Sequence, residues 1–327
     1  MPRQARLDIP GLLQHVIVRG IERSDIFLDD DDRQRFVDSF SSLLVETGTD
    51  CFAWALIPNH AHLLLRCNHF DLSRFMRRLL TGYAVTFNRR HSRSGHLFQN
   101  RYKSIVCEEE PYLLELIRYI HLNPLRAGLV KDLENLDRYP WCGHAVLLGQ
   151  KAFAGQAIDE ILTLFGRKKK DSRHAYRQFL SDGVAMGKRP ELVGGGLRRS
   201  HLLESNGAVK GDYDERVLGG GDFVAALREE PRLGGKMPRT MDLISLQARL
   251  SDYFKLPATD ILRRGRLNQY SEARELFCYL SVTELGYSGA KVGAMIGIGT
   301  SSVSRAVRRG EELFLSRPEL KEWWICS

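Results

Sequence analysis

The sequence has no apolar run of about 18 residues or more, which excludes a membrane-spanning helix. Its first residues, MPRQARLDIPG, lack the apolar stretch of a signal peptide, so the chain is expected in the cytoplasm. The six cysteines (Cys51, Cys67, Cys107, Cys142, Cys278, Cys326) form no C-x-x-C pair and no zinc-type spacing. That excludes a disulfide framework or a zinc finger, and predicts reduced, mostly buried thiols. Glycine runs occur at 194–196, 219–221 and 234–235, but none is followed by GK[ST], so no nucleotide-phosphate loop is expected. No internal repeat is visible. What remains is ordinary globular composition, 43% hydrophobic and 27% charged, in 327 residues. At about 150 residues per domain, that length leaves room for two domains.

Charge is the first positive signal. Lys and Arg outnumber Asp and Glu 48 to 40, a net charge of +8 that favours an anionic partner. From Arg66 to Lys103 there are nine basic residues against one acid, Asp71, so this stretch alone carries the excess. Phe70, Phe75, Tyr83, Phe87, Phe98 and Tyr102 are interleaved with it. Such a strip is either a backbone-tracking groove with stacking platforms for single-stranded nucleic acid or a solvated helix face over core aromatics.

Apolar periodicity predicts a strand at 12–19, a helix at 30–47, and strands at 51–57 and 61–67 joined at Pro58-Asn59. A basic helix at 71–91, a strand at 102–107 and a helix from Pro111 to Pro124 follow. The order β-α-β-β-α-β-α implies an α+β fold, a ferredoxin- or RRM-like antiparallel sheet with helices on one face, over residues 1–150. Residues 151–238 read as a connector with short helices at 156–165 and 172–182. Residues 239–327 read as an all-α domain with helices near 241–255, 271–286, 289–297 and 300–315.

His60 and His62 stand two apart in a strand and so project from one face, where both imidazoles can reach one metal ion. Imidazoles with oxygen co-ligands and no thiol suit Mg²⁺ or Mn²⁺ better than structural zinc. In the 111–123 helix, Leu113, Leu114, Leu116, Ile117 and Ile120 form the apolar arc. Tyr119 and Asn123 share another face, with Tyr112 on nearly the same line. His121 falls on the apolar side. Periodicity alone leaves Tyr119 as either a boundary tyrosine or a nucleophile.

PNHAHLLL at 58–65 and RYIHLNPLRAGLV at 118–130 resemble the two signatures of the single-tyrosine HUH transposases. GHLFQNRYKS (95–104) and YPWCGHAVLLG (139–149) are similar to the REP-associated tyrosine transposases among them. This resemblance spans about residues 10–150. It implies metal ligation by His60 and His62, a nucleophilic Tyr119, and Asn123 in place of a third, amide-bearing ligand that is often Gln. Cys142 and Gly143 depart from the small hydroxyl residues expected there. The implied reaction is cleavage and rejoining of hairpin-flanked single-stranded DNA through a 5′-phosphotyrosine, serving transposition or mobilisation of REP-type repeats. Arg74, Arg77, Arg78, Arg89, Arg90, Arg101 and Lys103 would hold the single strand, and Arg101 and Lys103 would favour the Tyr119 phenolate.

The stretch 271–313 reads as helices around a turn, with Thr300 as N-cap and Val303, Ala306 and Val307 inward. Ser301, Ser302, Ser304, Arg305, Arg308 and Arg309 are left outside, as in a helix-turn-helix reading duplex DNA. Its AREL, LG, VG and SSV pattern resembles the DNA-binding domain of the bacterial replication initiator DnaA. TSSVS replaces that family's recognition run, so the box preference does not carry over. The expectation is a nucleoid-associated, cytoplasmic transposase, monomeric or homodimeric. The alternative is a domesticated, non-catalytic DNA-binding regulator.

Overall fold

The computed structural model describes residues 6–99, 101–187, 189–192, 214, 216–233, 241–257, 269–285, 287 and 289–325. The described residues fall into two compact units, one within 6–234 and one within 235–327.

The first unit is built on a sheet of β1 (Leu13–Arg19), β2 (Thr49–Ile57), β3 (His60–Cys67), β4 (Lys103–Cys107) and β5 (Val217–Leu218), in the order β2-β3-β1-β4-β5. The first four are antiparallel in a ferredoxin-like arrangement, and β5 joins β4 in parallel. In the β1–β3 pairing Ile17 lies opposite His62 and Arg19 opposite His60.

Helix α1 (Asp30–Thr47) starts where the Asp29 side chain accepts a hydrogen bond from Asp32 N, and ends at Gly48 in the left-handed region. With α2 (Leu72–Arg90) it covers one face of the sheet. Phe36, Phe40, Phe75, Met76 and Leu79 pack there on Val16, Val18, Trp54, Leu63 and Leu65. The opposite face takes α3 (Glu109–His121), whose Leu113, Leu116, Ile117 and Ile120 meet Leu13, Ala53, Leu64 and Ile105. The expectation of helices on one face is therefore corrected. Alternate residues of a strand point to opposite faces, and here both sets are apolar, so both faces need a cover.

After α3 come α4 (Asn123–Arg126), α5 (Leu133–Asp137), α6 (Gly143–Leu147), α7 (Ile158–Thr163) and α8 (Lys169–Asp182). The stretch read as a connector belongs to this unit. Ile161, Leu162, Tyr176, Leu192 and Leu218 are buried in the same core as α3. Arg66 of β3 also binds Asp50, Glu109 and Glu160, linking β2, α3 and α7. Helix α9 (Gly221–Arg228) follows β5. The glycine runs 194–196 and 234–235 lie outside the described residues. Gly219 and Gly220 lead into α9, and Gly220 N donates to Glu108 Oε2.

A buried polar chain holds α3, α6 and α8 together. His144 Nε2–H donates to Asp137 Oδ1 (2.9 Å), and the Tyr176 hydroxyl lies 2.8 Å from Nδ1 of both His144 and His121. Burial keeps both imidazoles neutral, since both pKa values are pushed down. The Tyr176 O–H therefore donates to His144, whose Nδ1 is bare, and accepts from His121. His121 Nε2 then has no partner and faces Gly143, where a Cβ would come within 2.8 Å of it. The His121 ring thus takes the room a side chain at 143 would need, which accounts for glycine at a position where the resemblance leads one to expect a hydroxyl residue.

The second unit contains α10 (Leu243–Phe254), α11 (Gln269–Tyr279) continued by a π-helical turn over Leu280–Glu284, α12 (Gly289–Ile296), α13 (Thr300–Ser316) and α14 (Pro318–Ile325). Val303 and Ala306 are buried among Leu276, Phe277, Leu280 and Val292. A short turn joins α12 to α13. Gly293 lets that turn approach, because a Cβ there would stand 2.5 Å from Ile298 O. The N-cap of α13 is Gly299, and Thr300 is its first helical residue, a shift of one from the expected cap.

Gly143→Ala should cost about 1–3 kcal/mol of stability through overpacking against His121 and Gln156. Urea denaturation of the two proteins measures this, and an unchanged midpoint would mean that the His121 ring yields freely.

Candidate functional site

On the α3-covered face, β1 runs from the apolar Leu13 through His15 and Ile17 to the exposed Arg19. The neighbouring β3 shows the same change along its length, from Leu64 through His62 to His60. The apolar ends hold α3, and the polar ends form an open site. His62 is buried, whereas His60 beside the β2–β3 turn is half-buried. Their ring centroids are 5.1 Å apart.

The hydrogen bonds of both histidines define which nitrogen is bare. Asn59 Nδ2 donates to Arg23 O (3.1 Å), which leaves Asn59 Oδ1 to accept from His60 Nδ1–H at 2.6 Å. His60 therefore presents Nε2 with a free lone pair. His62 Nδ1 is 2.9 Å from Nε2 of His15, a fully buried histidine on β1. Burial depresses the His15 and His60 pKa values to about 4 and that of His62 well below its ordinary value, so all three are neutral at pH 7. Neutral imidazole is the form that binds metal ions.

Tyr119, half-buried on α3, has its ring 5.8 Å from that of His62 and 6.1 Å from that of His15. Leu122, between α3 and α4, keeps helical dihedrals (φ −82°, ψ −7°), so Asn123 stays one turn beyond Tyr119. Burial raises the Tyr119 pKa, while the Arg126 charge, the Asn123 amide and the Arg19 charge pull it back. The Arg126 guanidinium lies 5.6 Å from the Tyr119 ring centre, with its Nε and Nη1 buried and without a hydrogen-bond partner. Asn123 Nδ2 is likewise buried and unpartnered. Two bare imidazole nitrogens and the oxygen of the Asn123 carboxamide are a donor set whose chemistry suits a divalent cation of borderline or hard character. Tyr112, on the same line of α3, is buried in the core.

The basic strip does not assemble here. Helix α2 lies across the sheet, so Arg74, Arg77, Arg78, Arg89 and Arg90 are on the other layer from Tyr119. Arg78 is held by Glu46, and Arg90 by Asp29, Asp31 and Asp32. Arg101 is exposed, and Lys103 stands opposite Ile17 on the histidine-bearing face, where its charge bears on His15. The cations acting on Tyr119 are Arg126 and Arg19 rather than Arg101 and Lys103. Sequence pattern does not single out His15, Arg19, Asn59 or Arg126. A lone histidine in an apolar strand reads as core, but Arg126 sits inside the second signature, three residues after Asn123 at the end of the same short helix.

Ligand atoms of Asp29, Asp32 and His91 also lie within 4.8 Å of one another. The Arg90 guanidinium is already seated on both carboxylates, at 2.7 Å from each, so this cluster has its cation.

In the second unit Ser301, Ser304, Arg305 and Arg308 are exposed on α13 and Ser302 is half-buried. Arg309 is exposed but bonded to Glu275 Oε1 at 2.5 Å. No helix among the described residues is long and apolar enough to cross a membrane.

No curated protein matches the chain. One solved structure, described as that of a REP-associated tyrosine transposase bound to a REP hairpin, aligns with 18% identity over 46% of this chain and 87% of its own, with a TM-score of 0.38. The family model described as "Transposase IS200 like" matches residues 9–123, which hold His15, His60, His62, Tyr119 and Asn123. Over that segment the chain is similar to the IS200-like transposases.

Proposed function

We propose that the chain cuts and rejoins hairpin-flanked single-stranded DNA, with Tyr119 as nucleophile and a 5′-phosphotyrosine as the covalent intermediate. The observation that carries this reading is the proximity of Tyr119 to His62, whose ring in turn neighbours that of His60, both imidazoles being neutral and each having its Nδ1 in a hydrogen bond. Tyr119 Oη attacks phosphorus in line and loses its proton, and the P–O3′ bond breaks. The departing oxygen takes up a proton to become a 3′-OH. Because the phosphodiester energy is kept in the tyrosine link, rejoining reverses the same step and needs no nucleotide.

His60, His62 and Asn123 would hold Mg²⁺ or Mn²⁺, whose charge polarises the scissile phosphate. Burial makes the Tyr119 phenol harder to deprotonate than an ordinary tyrosine, and the Arg126 and Arg19 charges oppose that effect. Arg126 offers two unpartnered N–H groups to the phenolate as it forms. Arg19 and Lys103, on the catalytic face, contact the strand beside the cut. Arg74, Arg77 and Arg89 form a separate basic surface on α2 for the hairpin stem. Arg78 and Arg90 have carboxylate partners and contribute less.

Exposed Ser301, Ser304, Arg305 and Arg308 on α13, with Ser302, would meet duplex DNA and recruit the chain to its target. A regulator without catalysis would use the same basic surfaces but has no need of a histidine pair presenting bare nitrogens beside a tyrosine.

Incubation with labelled hairpin-flanked single strands and Mn²⁺ should give a covalent adduct that disappears in Tyr119→Phe. An adduct surviving that change would remove Tyr119 as nucleophile, and no adduct with cognate flanks would favour the regulator. Arg126→Met should slow adduct formation about a hundredfold or more, as removal of a preorganised donor at developing charge does, with hairpin affinity retained. Replacing Arg305 and Arg308 with Ala should weaken duplex binding and flatten its salt dependence by about one unit for each phosphate no longer neutralised. Single-strand cleavage should be unaffected, and an unchanged duplex affinity would remove α13 from the interface.

A further inference from the structure

The strand face that carries His60 and His62 carries a third histidine to which neither the family match nor the sequence motifs give a role. His15 is two residues before Ile17 on β1, and Ile17 is directly opposite His62. That diagonal brings the His15 and His62 rings edge to edge, with centroids 5.1 Å apart and ring planes 27° from parallel. His15 is wholly buried.

Its two nitrogens have different neighbours. Nδ1 is 3.4 Å from Leu192 O, and Nε2 is 2.9 Å from His62 Nδ1. A carbonyl oxygen only accepts, so the His15 proton is on Nδ1. A fully buried imidazole with no carboxylate bonded to it stays neutral, so Nε2 of His15 has a lone pair and no proton. Across a 2.9 Å contact the proton must then come from the other ring, and His62 donates from Nδ1. The remaining nitrogen of His62, Nε2, is left bare.

We propose that His15 is a positioning residue for the metal site, holding His62 in the tautomer whose Nε2 can ligate a divalent cation, with the Leu192 carbonyl fixing His15 in turn. The relay runs Leu192 O, His15, His62, and then the ion. It does for His62 what Asn59 does for His60, but through a second imidazole and a backbone oxygen from residues 189–192. Without His15, His62 would divide between its two tautomers, one of which carries a proton on the ligating nitrogen. Partners of ligating histidines typically affect metal affinity by about 10–100-fold. The inference rests on the reading of His60 and His62 as metal ligands.

The test uses the full chain and two measurements that need no cleavage. Nitrogen NMR of the metal-free protein should show His62 protonated on Nδ1, and His15→Phe should shift it towards a mixture of tautomers. Mn²⁺ titration calorimetry should show His15→Phe binding at least about tenfold more weakly than the unaltered chain. His15→Gln should recover most of the affinity, since its Oε1 reaches the position of Nε2 and can accept from His62. A His62 proton found on Nε2 in the unaltered chain would overturn the proposal, as would equal Mn²⁺ affinity in His15→Phe. Equal losses in both variants, accompanied by a fall in Tm, would reduce His15 to core packing. Separately, absence of Mn²⁺ binding by the unaltered chain, or binding that survives His60→Ala unchanged, would defeat the metal-site reading itself.

Discussion

The register of β1 against β3 is the constraint on which the site depends. With Ile17 opposite His62 and Arg19 opposite His60, two imidazoles, an aliphatic chain and a guanidinium share one face of two adjacent strands. A slip of one residue would turn His60 and His62 into the layer of Phe36, Phe40 and Phe75, because side chains alternate along a strand. The same slip would turn Leu63 and Leu65 to the side where α3 now packs. Register is held because each face has an apolar half to bury. On the α3 side, Leu13 and Leu64 lie at one end of the strands, and Arg19 and His60 at the other. The gradient lets one surface seat a helix and open to solvent within a few residues.

Much of this is legible in the sequence, and the failures have physical causes. The alternation H-A-H in β3 and the four-residue step from Tyr119 to Asn123 are local periodicities, and both appear in the folded chain as spacing predicts. His15 has no such signal. Its role comes from a neighbour 47 residues away across a sheet, and a single imidazole among apolar residues has the pattern of an ordinary core position. Arg126 is hidden for a related reason, since charge counted along the chain draws attention to Arg101 and Lys103. The run LLL at 63–65 does hold a clue to the second helical layer, because a strand apolar on both sides must be covered on both. The segment read as a connector has little periodicity. It joins the core through isolated residues such as Tyr176, Leu192 and the two residues of β5, which no window of alternating hydrophobicity can detect.

The distribution of charge is altered most by the fold. Residues 66–103 hold the whole net excess in sequence, yet Arg66, Arg78 and Arg90 spend their charge on carboxylates of β2, α1, α3 and α7. Other basic residues stand on two sides of the sheet, with Arg74, Arg77 and Arg89 of α2 on one and Arg19 and Lys103 on the other. A nucleic acid that used both would have to pass around the sheet rather than along a single groove.

The two-residue strand β5 has a consequence beyond adding to the sheet. It occupies the open edge of β4, while at the far edge the backbone of β2 bonds to Trp141, Gly155 and Ala157. Exposed ladders are where sheets of separate molecules join. Here both are partly covered by the chain's own later residues. Growth of the sheet from one copy into another is thereby hindered along the covered part of each edge. Residues far along the chain, which supply neither a ligand nor a nucleophile, thus restrict how copies of the molecule can meet.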